Sequence, residues 1–562
     1  MSGNHTIQIQ CALGAIAATQ KLVDKSLSHI KKLCLNEAGR ISATRLDAHQ
    51  LSTYELAFCA AETAGARHMI EYADAARNNR PTAAELLIEE RIALYFSAEM
   101  VQNVRGRLSS RLKDFGLTGS DLAETVDSEA VQEFVQGTLQ TASLVELGQI
   151  MIEQEGRTGD YLLDEDKEIM RDTFRSFAND VVMPLAEEIH RHDLIVPEKI
   201  LKGLVEMGCF GLSIPEQYGG LQPDDHEDNM GMIVVTEELS RGSLASAGSL
   251  ITRPEILSKA LLAGGTEEQK QKWLPKLAAA EPFCAVAITE PDYGSDVAGM
   301  KLKAEKIDGG WLLNGNKTWC TFGGKAGVLL TLARTNPDHS QGHKGLSMFL
   351  VEKPSSDGHS FEHTQPEGGK ISGKAIATIG YRGMHSFDVF FDNYFVPDEN
   401  LLGGEAGLGK GFYFTMAGFA GGRIQTAARA TGLMQAAYER AISYAKERKV
   451  FGAPIADYQL TQIKIARMAT LLATSRQFTY AVARLMDKGE GQMEASLVKL
   501  FACKTSEWLC REALQIHGGM GYAEETAVSR YWIDSRVLSI FEGAEETLAL
   551  KVIGRTLIEN AA

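Results

Sequence analysis

Five short stretches of this 562-residue chain carry side chains whose types and spacing could do chemistry. The first is Ser539-Ile540-Phe541-Glu542-Gly543-Ala544-Glu545-Glu546. A carboxylate beside a glycine, set between an apolar run and a helix start, can move a proton while the glycine admits a substrate carbonyl at close range. Thr289-Glu290-Pro291-Asp292-Tyr293-Gly294-Ser295-Asp296 reads as a tight turn offering backbone N–H groups and hydroxyls to a phosphate or a flavin edge. Trp319-Cys320-Thr321 sets an aromatic slab two residues from a hydroxyl. Arg448-Lys449-Val450-Phe451-Gly452, with Gln459 beyond it, combines cation, aromatic ring and amide, a set suited to a nucleotide diphosphate. Gln515-Ile516-His517-Gly518-Gly519-Met520-Gly521 is a glycine-rich loop after a helix. Taken singly, each stretch also fits a turn, a helix cap or a core aromatic.

The elements that must hold these stretches follow from periodicity. Residues 1–150 contain a single proline, Pro81, and carry apolar residues at helical spacing, which predicts a helical bundle punctuated at Gly39 and Gly65. Thr141 to Thr158 reads as a connecting segment. A second helical domain is expected over 160–282, opening at Asp164-Glu165-Asp166 with acidic residues where the helix dipole favours them. The period then changes. Gly327–Ala333, Leu346–Val351 and Phe387–Phe391 are short strand-like runs bounded by Gly, Pro, Asn and Asp, so a β domain is expected over 283–397. A last helical domain follows over 398–562. Ala48 to Ala60 can be laid on Asp457 to Ala469, with Arg67 then falling on Arg476, so the first bundle could be a degenerate copy of the last.

Composition narrows the partners. Fifty-seven basic against 73 acidic side chains give a formal charge of −16, which argues against nucleic acid as a partner. No apolar run approaches the roughly 20 residues needed to span a bilayer. The first residues lack the layout of a signal peptide, and the eight cysteines contain no Cys-x-x-Cys pair. A cytoplasmic protein with free thiols is expected, without a structural metal.

In this order and spacing the five stretches resemble the acyl-CoA dehydrogenase family over residues 160–562. The resemblance implies a mainly α fold with a central, barrel-like β domain between a helical domain and a four-helix C-terminal domain, plus here an extra N-terminal bundle. It implies one FAD per subunit, an acyl-CoA substrate, electron-transfer flavoprotein as electron acceptor, and a homodimer or homotetramer. By the same resemblance Glu542 is the base for the α-proton, with Phe541 and Gly543 beside the substrate. Thr289, Trp319 and Thr321 would meet the flavin ring, and Ser295 the pyrophosphate or the CoA. Arg448, Phe451, Gln459, Gln515 and Gly519 would meet the adenine-diphosphate half of an FAD held by a neighbouring subunit, and Arg423 the CoA chain. Gly422, preceding Arg423, stands where some members carry the base. Departures from the family pattern are Ala544 for threonine, Leu548 for glutamine and Ala420 for a carboxylate.

The chain is longer than most members. Its length and layout look most like the subgroup that oxidises (2S)-methylsuccinyl-CoA to mesaconyl-CoA in the ethylmalonyl-CoA pathway. That substrate carries a free carboxylate, which a buried pocket must pair with a cation. Arg253 is the candidate, with His517 and Arg241 behind it. Short-chain or glutaryl-type dehydrogenation and acyl-CoA oxidation are the alternatives.

Overall fold

The computed structural model describes residues 2–83 and 85–562, apart from the side chains of residues 2–5 and of Ala420. It comprises two compact units: residues 1–166, 426–485 and 491–562 form the first, and 167–425 with 486–490 the second.

The first unit is helical. Ser2–Cys34, Gln50–Asn79 and Ile88–Ser109 pack as one bundle, and the Gln50–Asn79 helix also packs on Gln492–His517. Gly65 lies inside the Gln50–Asn79 helix rather than at its end. A Cβ there would meet Phe96, Thr474 and Phe478 at ordinary contact distance. Thr141–Glu153 is a helix too, where a connector was expected. Its hydroxyl and glycine content masked the apolar face carried by Leu147 and Met151, and Gly148 is needed where the helix meets the Gln462 carbonyl. The long helices of the C-terminal region are Gly411–Glu447, Gln459–Met486 and Gln492–His517. Gln50 and Gln459 open helices at the offset that aligns Ala48 with Asp457.

The second unit joins a helical part to a curled sheet. Its helices include Asn229–Gly242, buried on nearly every face, and Thr252–Gly264. The strands are β1 (Cys284–Ala287), β2 (Lys303–Ile307), β3 (Gly310–Thr321), β4 (Val328–Arg334), β5 (Leu346–Glu352), β6 (Ser360–Thr364), β7 (Lys370–Ala375) and β8 (Ser386–Pro397). They run in the order β1-β4-β2-β3-β8-β7-β6, with β5 also on β4. The pairing is antiparallel except β1 and β2 against β4. One face of β4 and β5 packs Val328, Leu330, Met348 and Leu350 on the helices. The other closes a core with Trp311, Phe349 and Val389. All eight cysteines are free thiols, seven of them buried. Among the described residues no helix is long and apolar enough to cross a membrane.

Candidate active site

Glu542 sits in a turn after the Ala527–Val537 helix, with φ of +54° followed by +100° at Gly543. Left-handed backbone at a non-glycine residue costs roughly 1–2 kcal/mol, so something must hold it. Two buried cations do. Lys499, on the Gln492–His517 helix, donates from Nζ to the carbonyls of Phe541 (3.0 Å) and Gly543 (2.5 Å), which flank Glu542. Arg429, on the Gly411–Glu447 helix, lies 4.7 Å from the centroid of the Phe541 ring, and its Nη2 lies 3.8 Å from Glu542 Oε1. The Glu542 side chain is 9 % exposed. Nearby Glu545 accepts from the Tyr54 hydroxyl and pairs with Lys504, so that second carboxylate is already engaged. Ala544 caps the short helix that follows without a side-chain hydrogen bond.

Sequence reasoning named Phe541, Glu542 and Gly543 but missed Lys499 and Arg429. Their only local signal is a cation at a helical position otherwise surrounded by apolar residues.

At another place in this unit, Tyr444 stacks on His517 with ring centroids 4.3 Å apart, joining the ends of two long helices. The stacking brings the Arg448–Phe451 hairpin end and the Gln515–Gly519 loop to one end of the bundle. Arg448, Phe451, Gln459, Gln515 and Gly519 are all exposed. Phe451 is 100 % exposed at a left-handed φ of +49°, an apolar ring presented outward with nothing of its own chain on it. His517 is spent internally: beyond the stacking, its Nδ1 meets the Ala513 carbonyl and burial lowers its proton affinity. It is no free cation for a substrate carboxylate.

In the second unit, β3 carries an irregularity between Lys317 and Cys320. Trp319 there adopts φ of +57° and is 55 % exposed, so a large flat ring faces outward from a strained strand. The Thr318 N–H donates to the Thr289 carbonyl, which sets Thr289 beside Trp319 and Thr321. The Thr321 hydroxyl shares a hydrogen bond with Ser386, and Ser295 is exposed on the adjoining turn. Glu290, within the same turn, is structural. Its buried carboxylate accepts from the N–H groups of Lys301 and Leu302 and from Lys317 Nζ at 2.9 Å, and so anchors the loop to the sheet. Within this unit an outward aromatic ring beside hydroxyls suits the planar head of a flavin; in the first unit, taken by itself, the arginine-bearing hairpin suits a diphosphate.

Arg253 is 6 % exposed on the Thr252–Gly264 helix. Its one hydrogen bond runs from Nη1 to the Ser249 carbonyl at 3.5 Å, and it pairs with no carboxylate among the described residues. Pro254 beside it and Phe322 from the end of β3 line the same small apolar cavity. Arg241 donates to Asn179 and is less buried. Arg423 is half-buried in the Gly411–Glu447 helix. At Gly421 a Cβ would stand 2.2 Å from Glu255 Oε1, so glycine there admits a buried carboxylate. Glu255 accepts from Gln425 and pairs with Lys259 at 3.3 Å. The side chain of Ala420 lies outside the described residues.

Comparison with known proteins places these features in context. Residues 164–281, 285–394 and 409–558 match the N-terminal, middle and C-terminal domains of acyl-CoA dehydrogenase. The (2S)-methylsuccinyl-CoA dehydrogenase of Cereibacter sphaeroides is 37 % identical, with 98 % of each chain covered. The caffeyl-CoA reductase-Etf complex subunit CarC of Acetobacterium woodii is 34 % identical over 70 % of this chain and 98 % of its own. A glutaryl-CoA dehydrogenase from Mycobacterium smegmatis in complex with FADH2 superposes with a TM-score of 0.62 at 27 % identity, covering 71 % of this chain and 96 % of that one.

Proposed function

This chain belongs to the acyl-CoA dehydrogenase family of oxidoreductases, and from that premise we propose that it oxidises (2S)-methylsuccinyl-CoA to mesaconyl-CoA with FAD. Two things support the substrate. The methylsuccinyl-CoA dehydrogenase matches over 98 % of this chain, including the N-terminal bundle. The observation that carries the reading is Arg253, a buried guanidinium with no carboxylate partner among the described residues. A buried unpaired cation is costly, and a substrate carboxylate would complete it.

The residues divide the work. The Glu542 carboxylate takes the proton from the α-carbon, and its N–H is the donor for the thioester oxygen on which negative charge grows. Arg253 fixes the far carboxylate, so that the α-carbon is presented in one orientation. Arg423 meets the CoA chain. Thr289, Thr321 and Trp319 would hold the ring of FAD, and Ser295 the pyrophosphate or the CoA. Arg448, Phe451, Gln459, Gln515 and Gly519 would hold the adenine-diphosphate half of an FAD on a neighbouring subunit, in a homodimer or homotetramer. Bound FAD supplies the acceptor for the hydride that leaves the β-carbon. The electrons then pass to electron-transfer flavoprotein, as the CarC relative's membership of an Etf complex supports.

The test is anaerobic. Methylsuccinyl-, succinyl-, glutaryl-, butyryl- and isobutyryl-CoA are each mixed with the FAD-loaded protein while flavin absorbance is followed. Bleaching by methylsuccinyl-CoA alone is expected. Equal bleaching by butyryl-CoA would overturn the substrate, and bleaching by none would overturn the reaction. Rapid reoxidation in air, without electron-transfer flavoprotein, would mark an oxidase instead.

A further inference from the structure

Lys499 is 1 % exposed. Burying an ammonium is expensive unless its protons are well used, and this one is spent on two main-chain carbonyls, those of Phe541 and Gly543. The choice of carbonyls matters. The Phe541 C=O and the Glu542 N–H belong to one trans peptide plane, in which they point in opposite directions. Gripping the carbonyl therefore aims the N–H away from Lys499. A positive charge on the oxygen also polarises the amide and makes its N–H a stronger donor.

Phe541 N donates to Val537 O and Glu545 N to Ser539 O, whereas Glu542 N meets no protein acceptor among the described residues. The left-handed backbone at Glu542 and Gly543 holds the pair of N–H groups out of the neighbouring helical hydrogen bonding. Arg429 meanwhile lies by the carboxylate of the same residue. One cation thus addresses the backbone of Glu542 and the other its side chain.

We infer that Lys499 is a positioning residue that aims and polarises the Glu542 N–H as the donor to the substrate's thioester oxygen. The inference rests on Glu542 acting as proposed above, and it adds the group through which the donor is set.

The test compares the FAD-loaded wild-type protein with Lys499→Met and Lys499→Gln. Mesaconyl-CoA labelled with ¹³C at the thioester carbonyl is bound to each, and its carbonyl stretch is read by difference infrared spectroscopy. If the flavin-bleaching panel selects another substrate, the enoyl-CoA product of that substrate takes its place. The stretch should lie below that of the free thioester in the wild type and return towards it in both variants. The rate of anaerobic bleaching per bound flavin should fall about 10²-fold, the size of losing one such donor, with product affinity changed less than tenfold. A purely structural lysine would lower FAD content or melting temperature and leave both readouts per flavin unchanged, which would overturn the inference. Should Lys499→Met fail to fold, Lys499→Gln keeps an uncharged N–H donor on a shorter side chain and carries the comparison. Absence of bleaching in the wild type would overturn the underlying reaction instead, so the two failures are distinguishable.

Discussion

Arg429 Nη2 stands 3.8 Å from Glu542 Oε1, with no exposure of the arginine side chain to solvent. The same guanidinium covers the Phe541 ring, so its position is fixed by a cation–π contact as well as by charge. In a site this dry, removing either member leaves the other charge buried, and the loss is expected to run to about 3–5 kcal/mol.

A double-mutant cycle measures that coupling. Glu542→Gln should keep bound FAD and abolish flavin bleaching by the acyl-CoA substrate, because no group remains to take the α-proton. Arg429→Met should destabilise the wild-type background by several kcal/mol, and the Glu542→Gln background by at least about 1 kcal/mol less. Denaturant unfolding of the four proteins checks this. Strict additivity would show that the two side chains do not interact, and normal bleaching by Glu542→Gln would remove it as the base.

Arg253→Leu probes the free carboxylate of the proposed acyl group. The substitution removes a buried cation but preserves apolar volume, so the fold should survive. The kcat/KM for methylsuccinyl-CoA should fall about 10²- to 10³-fold, as expected for a lost charge pair worth roughly 2–5 kcal/mol. Butyryl-CoA should lose little, so the ratio of the two reads the effect directly. An unchanged preference for the dicarboxylic compound would assign its recognition to another residue.

Lys353 gives the protein a pH-dependent stability. Burial alone pushes its ammonium down to about 8 from the ordinary lysine value of 10.5. Its Nζ nevertheless props the Gly324 carbonyl, in the loop that follows Trp319 and Thr321. Between these two values the unfolded chain holds a proton that the folded chain releases, so stability rises with pH from about 8 to about 10.5. Below 8 the full burial penalty is present. The gain attributable to this residue between pH 7.5 and 9.5 is on the order of 2 kcal/mol. Denaturant unfolding at both values should show that increment in the wild type and its loss in Lys353→Met. Equal pH dependence in the two proteins would contradict it.

What the sequence determined by itself is the local character of a few short stretches. Phe541-Glu542-Gly543, Thr289 to Ser295, Trp319-Cys320-Thr321 and the Gln515 to Gly521 loop could be read because turn, cap and side-chain type are local properties. The alternation of helical and strand periods outlined the helical and sheet regions for the same reason. The Thr141–Glu153 helix was misread because its glycine, Gly148, answers to the Gln462 carbonyl of a neighbouring helix rather than to the local residues. The tertiary structure alone decided which cations face Glu542. Lys499 and Arg429 lie on two separate helices, far along the chain from the turn they hold. In sequence each looks like an isolated charge on a helical face, and only packing shows whether such a charge reaches solvent or is buried against a backbone that needs it. Arg253 is intermediate: its type suggested a carboxylate partner, and its burial without one gave that suggestion physical weight.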